Sequence, residues 1–133
     1  MSEDSKASAR YEQGMATRRK VLGEDYVNAR IANITPFNEP FQNLITESAW
    51  GHVWSRENWT KRERSMVTIA LLAALGHYEE MVMHIKATRN TGATEDDIRE
   101  ALLHVAIYAG VPHANHAIKL ASEALTSLKE AQK

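Results

Sequence analysis

The segment from Thr60 to Gly76 constrains this chain more than any other. It opens with a threonine followed three residues later by Glu63, the capping-box signature of a helix start. It closes on Gly76, placed as a helix-stopping glycine. In between, residues 66–75 are apolar on nearly every side, interrupted by Thr68. A helix that is hydrophobic all round must be buried all round. The stretch is too short for a bilayer, which takes about 20 residues to cross. A chain of 133 residues can support a core, but a small helical monomer rarely has room to surround such a helix. A subunit interface on this element is therefore expected.

The rest of the chain also reads as helix, with no alternating strand pattern. The first eight residues are polar and read as a frayed tail on a single domain spanning 1–133. A first helix ends at Leu22, stopped by Gly23, with Tyr11, Met15, Arg18 and Leu22 on one face. A short second helix carries Val27, Ile31 and Ile34. Thr35-Pro36 reads as the cap and first-turn proline of a third. That helix presents Phe37, Phe41, Leu44, Ile45 and Ala49, ends near Trp50-Gly51, and gives way to a tryptophan-rich loop over 52–59. Beyond the apolar fourth helix, a fifth runs over 78–90 and stops at Gly92. Thr94 caps a sixth, with Glu95, Asp96 and Asp97 at the positive end of its dipole. Pro112 opens a seventh that reaches about Leu128. The expectation is an all-α, compact array of about six to seven helices.

Composition removes whole classes of function. Lys and Arg number 16 against 17 Asp and Glu, a net charge of −1, too neutral for a nucleic-acid binder or an anionic membrane surface. With no cysteine, disulfides, thiolate nucleophiles and thiolate-held metals are excluded. The N-terminus has no apolar signal region, so a cytoplasmic protein is expected.

Chemistry concentrates on the fifth helix. His77, Glu80 and His84 fall at i, i+3 and i+7, on one face. A Glu80–His84 pair can fix the imidazole tautomer and raise its pKa, which suits acid–base work. The same spacing also suits an exposed polar stripe, and two histidines with a carboxylate can bind zinc, although the spacing matches no defined zinc motif. Trp50, His52 and Trp54, around Gly51, can wall a ligand pocket or simply cover the core. Arg64, in the first turn of the apolar helix, can present a fork to a carboxylate or sit in solvent. Arg18-Arg19-Lys20 reads as a solvated charge run near a helix end. Tyr108, His113, Asn115 and His116 can face a pocket, while His113 and His116 also read as an incidental surface pair.

Taken in order, these segments resemble the carboxymuconolactone decarboxylase family. The resemblance rests on Arg10-Tyr11-Glu12-Gln13-Gly14-Met15, Arg18 to Gly23, Phe37 to Gln42, Trp50 to Arg56, Arg64 to Ala70, the Glu80–His84 spacing, and Ala106 to Pro112. No one motif is decisive, but their joint order is specific. A peroxidase branch of the family carries Cys-x-x-Cys-x-x-x-His where this chain has His77, Glu80 and His84. Loss of both cysteines fits the decarboxylase branch.

The resemblance implies an all-α homo-oligomer, a hexamer built as three dimers. It implies cofactor-free loss of CO2 from 4-carboxymuconolactone, a small lactone dicarboxylate, with His84 as acid and Glu80 orienting it. On that reading Arg64 anchors a carboxylate, and His52 or Tyr108 donates to the lactone oxygen. Trp50 and Trp54 exclude water, and His77 lines the substrate site. A different small lactone or keto acid as substrate, a metalloprotein and a catalytically silent helical assembly are the competing readings.

Overall fold

A computed structural model describes the backbone of residues 2–132 and the side chains from Ala9 to Gln132. Among these residues it contains eight α-helices and one π-helical segment and no strand, in agreement with the all-α expectation. The elements are α1 (Ser2–Leu22), α2 (Glu24–Ala32), α3 (Glu39–Ile45), the π segment (Thr46–Trp54), α4 (Lys61–Leu75), α5 (Tyr78–Lys86), α6 (Thr88–Thr91), α7 (Glu95–Tyr108) and α8 (Val111–Ala131). The tail expected over residues 1–8 falls where side chains lie outside the described ones. The chain separates into two compact units, Met1–Trp59 and Thr60–Lys133. No described helix is long and apolar enough to cross a membrane.

In the N-terminal unit, α1 lies against the π segment. Two glycines set the closeness of that contact. A Cβ on Gly14 would stand 2.0 Å from the Thr46 carbonyl oxygen, and one on Gly51 would stand 2.8 Å from that of Arg10. Only residues without a side chain let the two backbones approach so far. Thr17 and Ser55 add a hydroxyl contact of 2.7 Å across the same pair of elements. The Ser55 hydroxyl hydrogen is directed to the Trp50 carbonyl at 2.6 Å, so Thr17 is the donor between them.

The third helix differs from its sequence reading in start, face and end. Pro36 and Phe37 form a turn, in which Asn38 Oδ1 accepts from the Thr35 amide at 2.8 Å, and the helix begins at Glu39 with Pro40 in its first turn. Phe37, Phe41 and Leu44, expected to face the core, are exposed, Phe37 by 95%. Gln42, Thr46, Trp50 and Trp54 are buried instead. The expected loop after residue 51 is helical through Trp54. Thr46 Oγ1 donates to the Gln42 carbonyl at 2.7 Å where the π segment begins, and Ser55 donates to that of Trp50 at its end. Such hydroxyl-to-carbonyl bonds compete with the regular α ladder, and wider π turns result where the ladder is disturbed.

The C-terminal unit follows its sequence signals more closely. Thr60 and Glu63 form the full capping box, and Gly76 ends α4 in the left-handed region at φ 78°. The His77 amide then reaches back to the Leu72 carbonyl at 2.8 Å, closing a Schellman turn. Thr94 and Asp97 form a second capping box. The Asp97 carboxylate also takes two bonds of 2.7 Å from the Arg62 guanidinium, tying the first turn of α4 to that of α7. Arg62, and after it the Thr94 amide, hold the Asp97 carboxyl well below the usual carboxylate range.

The fifth helix expected over 78–90 is divided at Ala87. Thr88 donates its hydroxyl to the Ile85 carbonyl at 2.6 Å there. Ile69, Ala73, Met81, Ile85, Ile98, Leu102 and alanines of α8 make the core. On α4, Ser65, Ile69 and Ala73 face inward, whereas Val67, Leu71 and Leu75 form an exposed stripe at steps of four.

Gly14→Ala should destabilise the N-terminal unit by about 3 kcal/mol, the upper end of overpacking costs, because the obstructing atoms are backbone. Urea unfolding of the purified variant, followed by circular dichroism, measures it.

Candidate active site

Of the residues expected to carry chemistry in the C-terminal unit, His77, Glu80 and His84 belong to α5 and its N-cap. The Schellman turn at Gly76 sets where α5 starts, with His77 as its N-cap residue and no side-chain capping bond. Met81 and Ile85 then point into the core, and His84 lies beside them, 7% exposed. His77 and Glu80 are exposed. The residues read onto one face from the spacing therefore differ in burial, His84 being enclosed while His77 and Glu80 are in solvent. Among the described residues, no group of three His, Asp or Glu side chains comes together as metal ligands, so His77, Glu80 and His84 do not form such a set.

Burial decides the protonation of His84. It pushes the imidazole pKa down from 6.5 to about 4, and the charge of Glu80 acts in the opposite sense. The pair was expected to raise the pKa. The glutamate does pull that way, but it is solvated, and a charge in water acts weakly compared with removing an imidazolium from water. His84 is consequently neutral at pH 7 in the free protein.

Arg64 is half-buried in the first turn of α4. Its neighbour Ser65 is fully buried and donates to the Thr91 hydroxyl at 2.8 Å, fixing this turn against α6. Tyr108 is 85% exposed at the end of α7 and stacks on His104, with centroids 6.1 Å apart. It faces the surface rather than an enclosed pocket.

The supposedly incidental pair His113 and His116 has a common neighbour. The Tyr78 hydroxyl is 3.1 Å from His113 Nδ1, and the Tyr78 ring meets His116 edge-on at 4.5 Å. Sequence reasoning passed over Tyr78, whose only signal was its place beside His77 at the helix start. A pocket between α7 and α8, lined by Ile98, Leu102, Ile118 and Ala121 with Glu95 and Arg99 among its polar residues, contains none of the candidate site residues.

In the N-terminal unit, Trp50 and Trp54 are buried one turn apart with ring centroids 5.2 Å from each other. His52 lies between them in sequence and is exposed. The structure thus brings the tryptophans together and leaves the histidine outside. Arg18 corrects the reading of the Arg18-Arg19-Lys20 run. Lys20 is exposed and Arg19 pairs with Glu24 at 2.5 Å, but Arg18 is buried. The signal was present, since Arg18 shares the face of Tyr11, Met15 and Leu22.

The depressed pKa of His84 makes a prediction about stability. The unfolded chain takes up this proton near pH 6.5 and the folded chain near 4. His84 therefore contributes no pH dependence above 6.5, and stability falls as pH drops from there toward 4. The loss approaches about 3 kcal/mol. Unfolding free energies of wild type and His84→Gln between pH 4 and 7 check it, the variant lacking this part of the slope.

With this geometry in view, the chain can be set beside known proteins. Over 119 residues it is 46% identical to a 4-carboxymuconolactone decarboxylase of Acinetobacter baylyi, covering 90% of this chain and 89% of that protein. It is 37% identical over 118 residues to the nitrosuccinic acid decarboxylase npaB of Metarhizium robertsii, covering 89% and 82%. It is 43% identical over 42 residues to a 4-carboxymuconolactone decarboxylase of Pseudomonas putida, which is 32% of this chain and 88% of that sequence. The family model for carboxymuconolactone decarboxylases matches residues 39–123, from the first residue of α3 into α8. A match over most of the chain, together with relatives that align nearly end to end, leads to one assignment: the chain belongs to the carboxymuconolactone decarboxylase family.

Proposed function

We propose that this protein decarboxylates 4-carboxymuconolactone to the β-ketoadipate enol-lactone and CO2, without a cofactor, in the cytoplasmic breakdown of protocatechuate. The observation that carries this reading is the 46% identity over 90% of the chain to a protein named for that reaction. The family match runs through both compact units, which supports treating them as one functional domain.

The substrate is a dianion whose unsaturated lactone accepts the electron pair left by CO2 as a dienolate. The protein must hold carboxylate, stabilise the developing oxyanion and deliver a proton to ring carbon. We assign the proton delivery to His84. Its imidazole is neutral at rest, because burial outweighs Glu80. An arriving dianion adds negative charge in the same sense as Glu80, raising the histidine pKa and favouring uptake of the proton together with the substrate. Glu80 orients the ring and adds to that pull. Arg64, half-buried and charged, anchors a substrate carboxylate. His52 or Tyr108, both exposed in the free chain, is the assigned donor toward the lactone oxygen, a role that oxyanion stabilisation makes energetically large. His77, exposed at the start of α5, lines the approach.

A second reading is favoured by the 37% identity to a nitrosuccinic acid decarboxylase. Nitrosuccinic acid is also a dicarboxylic acid, and its nitro group can take the electron pair that the lactone takes in the first reading. The same residues serve either substrate.

The assembly is a homo-oligomer, proposed as a hexamer of three dimers. The exposed stripe of Val67, Leu71 and Leu75 on α4 supports it, since side chains of this kind are stabilised by burial. Leu71→Glu is expected to shift the sedimentation coefficient to a smaller species than wild type.

Turnover is tested with 4-carboxymuconolactone generated in situ and, in parallel, with nitrosuccinate. His84→Ala should lower kcat by about 10²–10⁴, the usual range for a positioned proton donor. Glu80→Gln should lower it by about tenfold through the histidine, and Arg64→Ala should raise KM by about tenfold or more. Full turnover by a folded His84→Ala protein would remove His84 as the acid. Turnover of nitrosuccinate alone would move the substrate to the second reading.

A further inference from the structure

Among the described residues of the N-terminal unit, one charged group is buried without a counter-charge. Gly14 brings α1 onto the Thr46 carbonyl, and Arg18, one turn later on the same face, is carried inside with it. The residue as a whole is 4% exposed. Nη1 donates to Thr46 Oγ1 at a long 3.3 Å, and the hydrogen of that hydroxyl is directed to the Gln42 carbonyl at 2.7 Å. Arg18 Nε has no acceptor, and on the same turn of chain as Thr46 the buried Gln42 Oε1 has no donor. Among the described residues no carboxylate pairs with Arg18.

The charge that acts on Arg18 most strongly is another cation, Arg30, with Tyr26 and Tyr11 as the other titratable neighbours. Burial and Arg30 both work against its protonated form. A buried charge normally comes with a partner, because an unpaired one loses its hydration and gains nothing in return.

We propose that Arg18, with Thr46 and Gln42, is a receptor for the carboxylate group of a small organic acid. The residues fit this class of ligand. The open Nε lies on the guanidinium edge it shares with Nη2, away from the Nη1 that reaches Thr46, and that edge matches the two coplanar oxygens of a carboxylate. One carboxylate neutralises one guanidinium. Gln42 turned over about its amide presents N–H donors where Oε1 now stands. The burial that makes Arg18 costly when alone strengthens its attraction for an anion. The carboxylate comes from the substrate itself or from a separate acid, and kinetics separate the two sources.

The test uses the full chain with succinate as the probe and inorganic phosphate at matched ionic strength as the control. The Nε–H proton of Arg18, identified by its absence in Arg18→Gln, is followed by ¹H–¹⁵N NMR during titration. Succinate should shift this resonance saturably, phosphate less so, and Arg18→Gln should bind succinate at least about tenfold more weakly. Helicity by circular dichroism establishes that the variant is folded. Should it fail to fold, Arg18→Lys identifies the resonance, and Gln42→Leu should weaken the titration.

A resonance that does not move at saturating succinate overturns the proposal, as does equal affinity in a folded Arg18→Gln. Succinate that raises KM for the lactone without changing kcat identifies the carboxylate as the substrate's. Succinate that alters kcat without competing identifies a separate acid. The binding readouts need no turnover, so they stand or fall apart from the proposed reaction.

Discussion

At Gly14 the backbone of α1 comes so near the Thr46 carbonyl that a single methyl group would overlap it. Much of the N-terminal unit follows from that contact. It is made twice, since Gly51 meets the Arg10 carbonyl in the same way. Backbones this close leave no layer of side chains between them, so groups one turn away are enclosed whatever their polarity. Arg18, Gln42 and Thr46 are buried as a result, and so are Trp50 and Trp54 further along the π segment. The hydroxyls of Thr46 and Ser55 bond to carbonyls at its two ends, and an α ladder disturbed at both ends adopts wider turns.

The C-terminal unit is governed by solvation. Asp97 and His84 are both buried ionisable groups, and they are treated in opposite ways. Asp97 receives two guanidinium bonds and an amide, so its charged form is favoured. His84 has a solvated carboxylate nearby and the core behind it, so its neutral form is favoured. The first arrangement holds α4 to α7. The second leaves a histidine whose protonation responds to any negative charge brought beside it. In the reaction proposed above, that negative charge would be supplied by the substrate at the moment the proton is needed.

The family's chemistry asks little of the protein beyond placement. Two relatives act on different acids, a carboxymuconolactone and nitrosuccinic acid. Each molecule carries its own electron sink, so a common scaffold can serve both by holding carboxylate and supplying a proton. On this view the cations of the chain matter as much as the proposed acid, His84. Arg64, half-buried on a helix anchored through Ser65, and Arg18, enclosed in the N-terminal unit, are the two to examine.

The sequence by itself determined the helical class and most helix ends in the C-terminal unit. Thr60 with Glu63, Thr94 with Asp97, Gly76, Gly92 and Pro112 act through bonds within a few residues, so their meaning travels with the local pattern. It also pointed to α5 as the helix on which the proposed acid–base pair lies. Only the tertiary structure decided which face of each helix became the inside. Phe37, Phe41 and Leu44 were the apolar choice, yet Gln42, Thr46 and Trp50 were enclosed, because the glycine contact with α1 lies on their side. The same holds for charge. Spacing placed Glu80 one turn before His84, and Arg18 in a basic run, but a pKa and a missing counter-ion depend on how much water is removed. That is a property of packing, to which residues distant in sequence contribute.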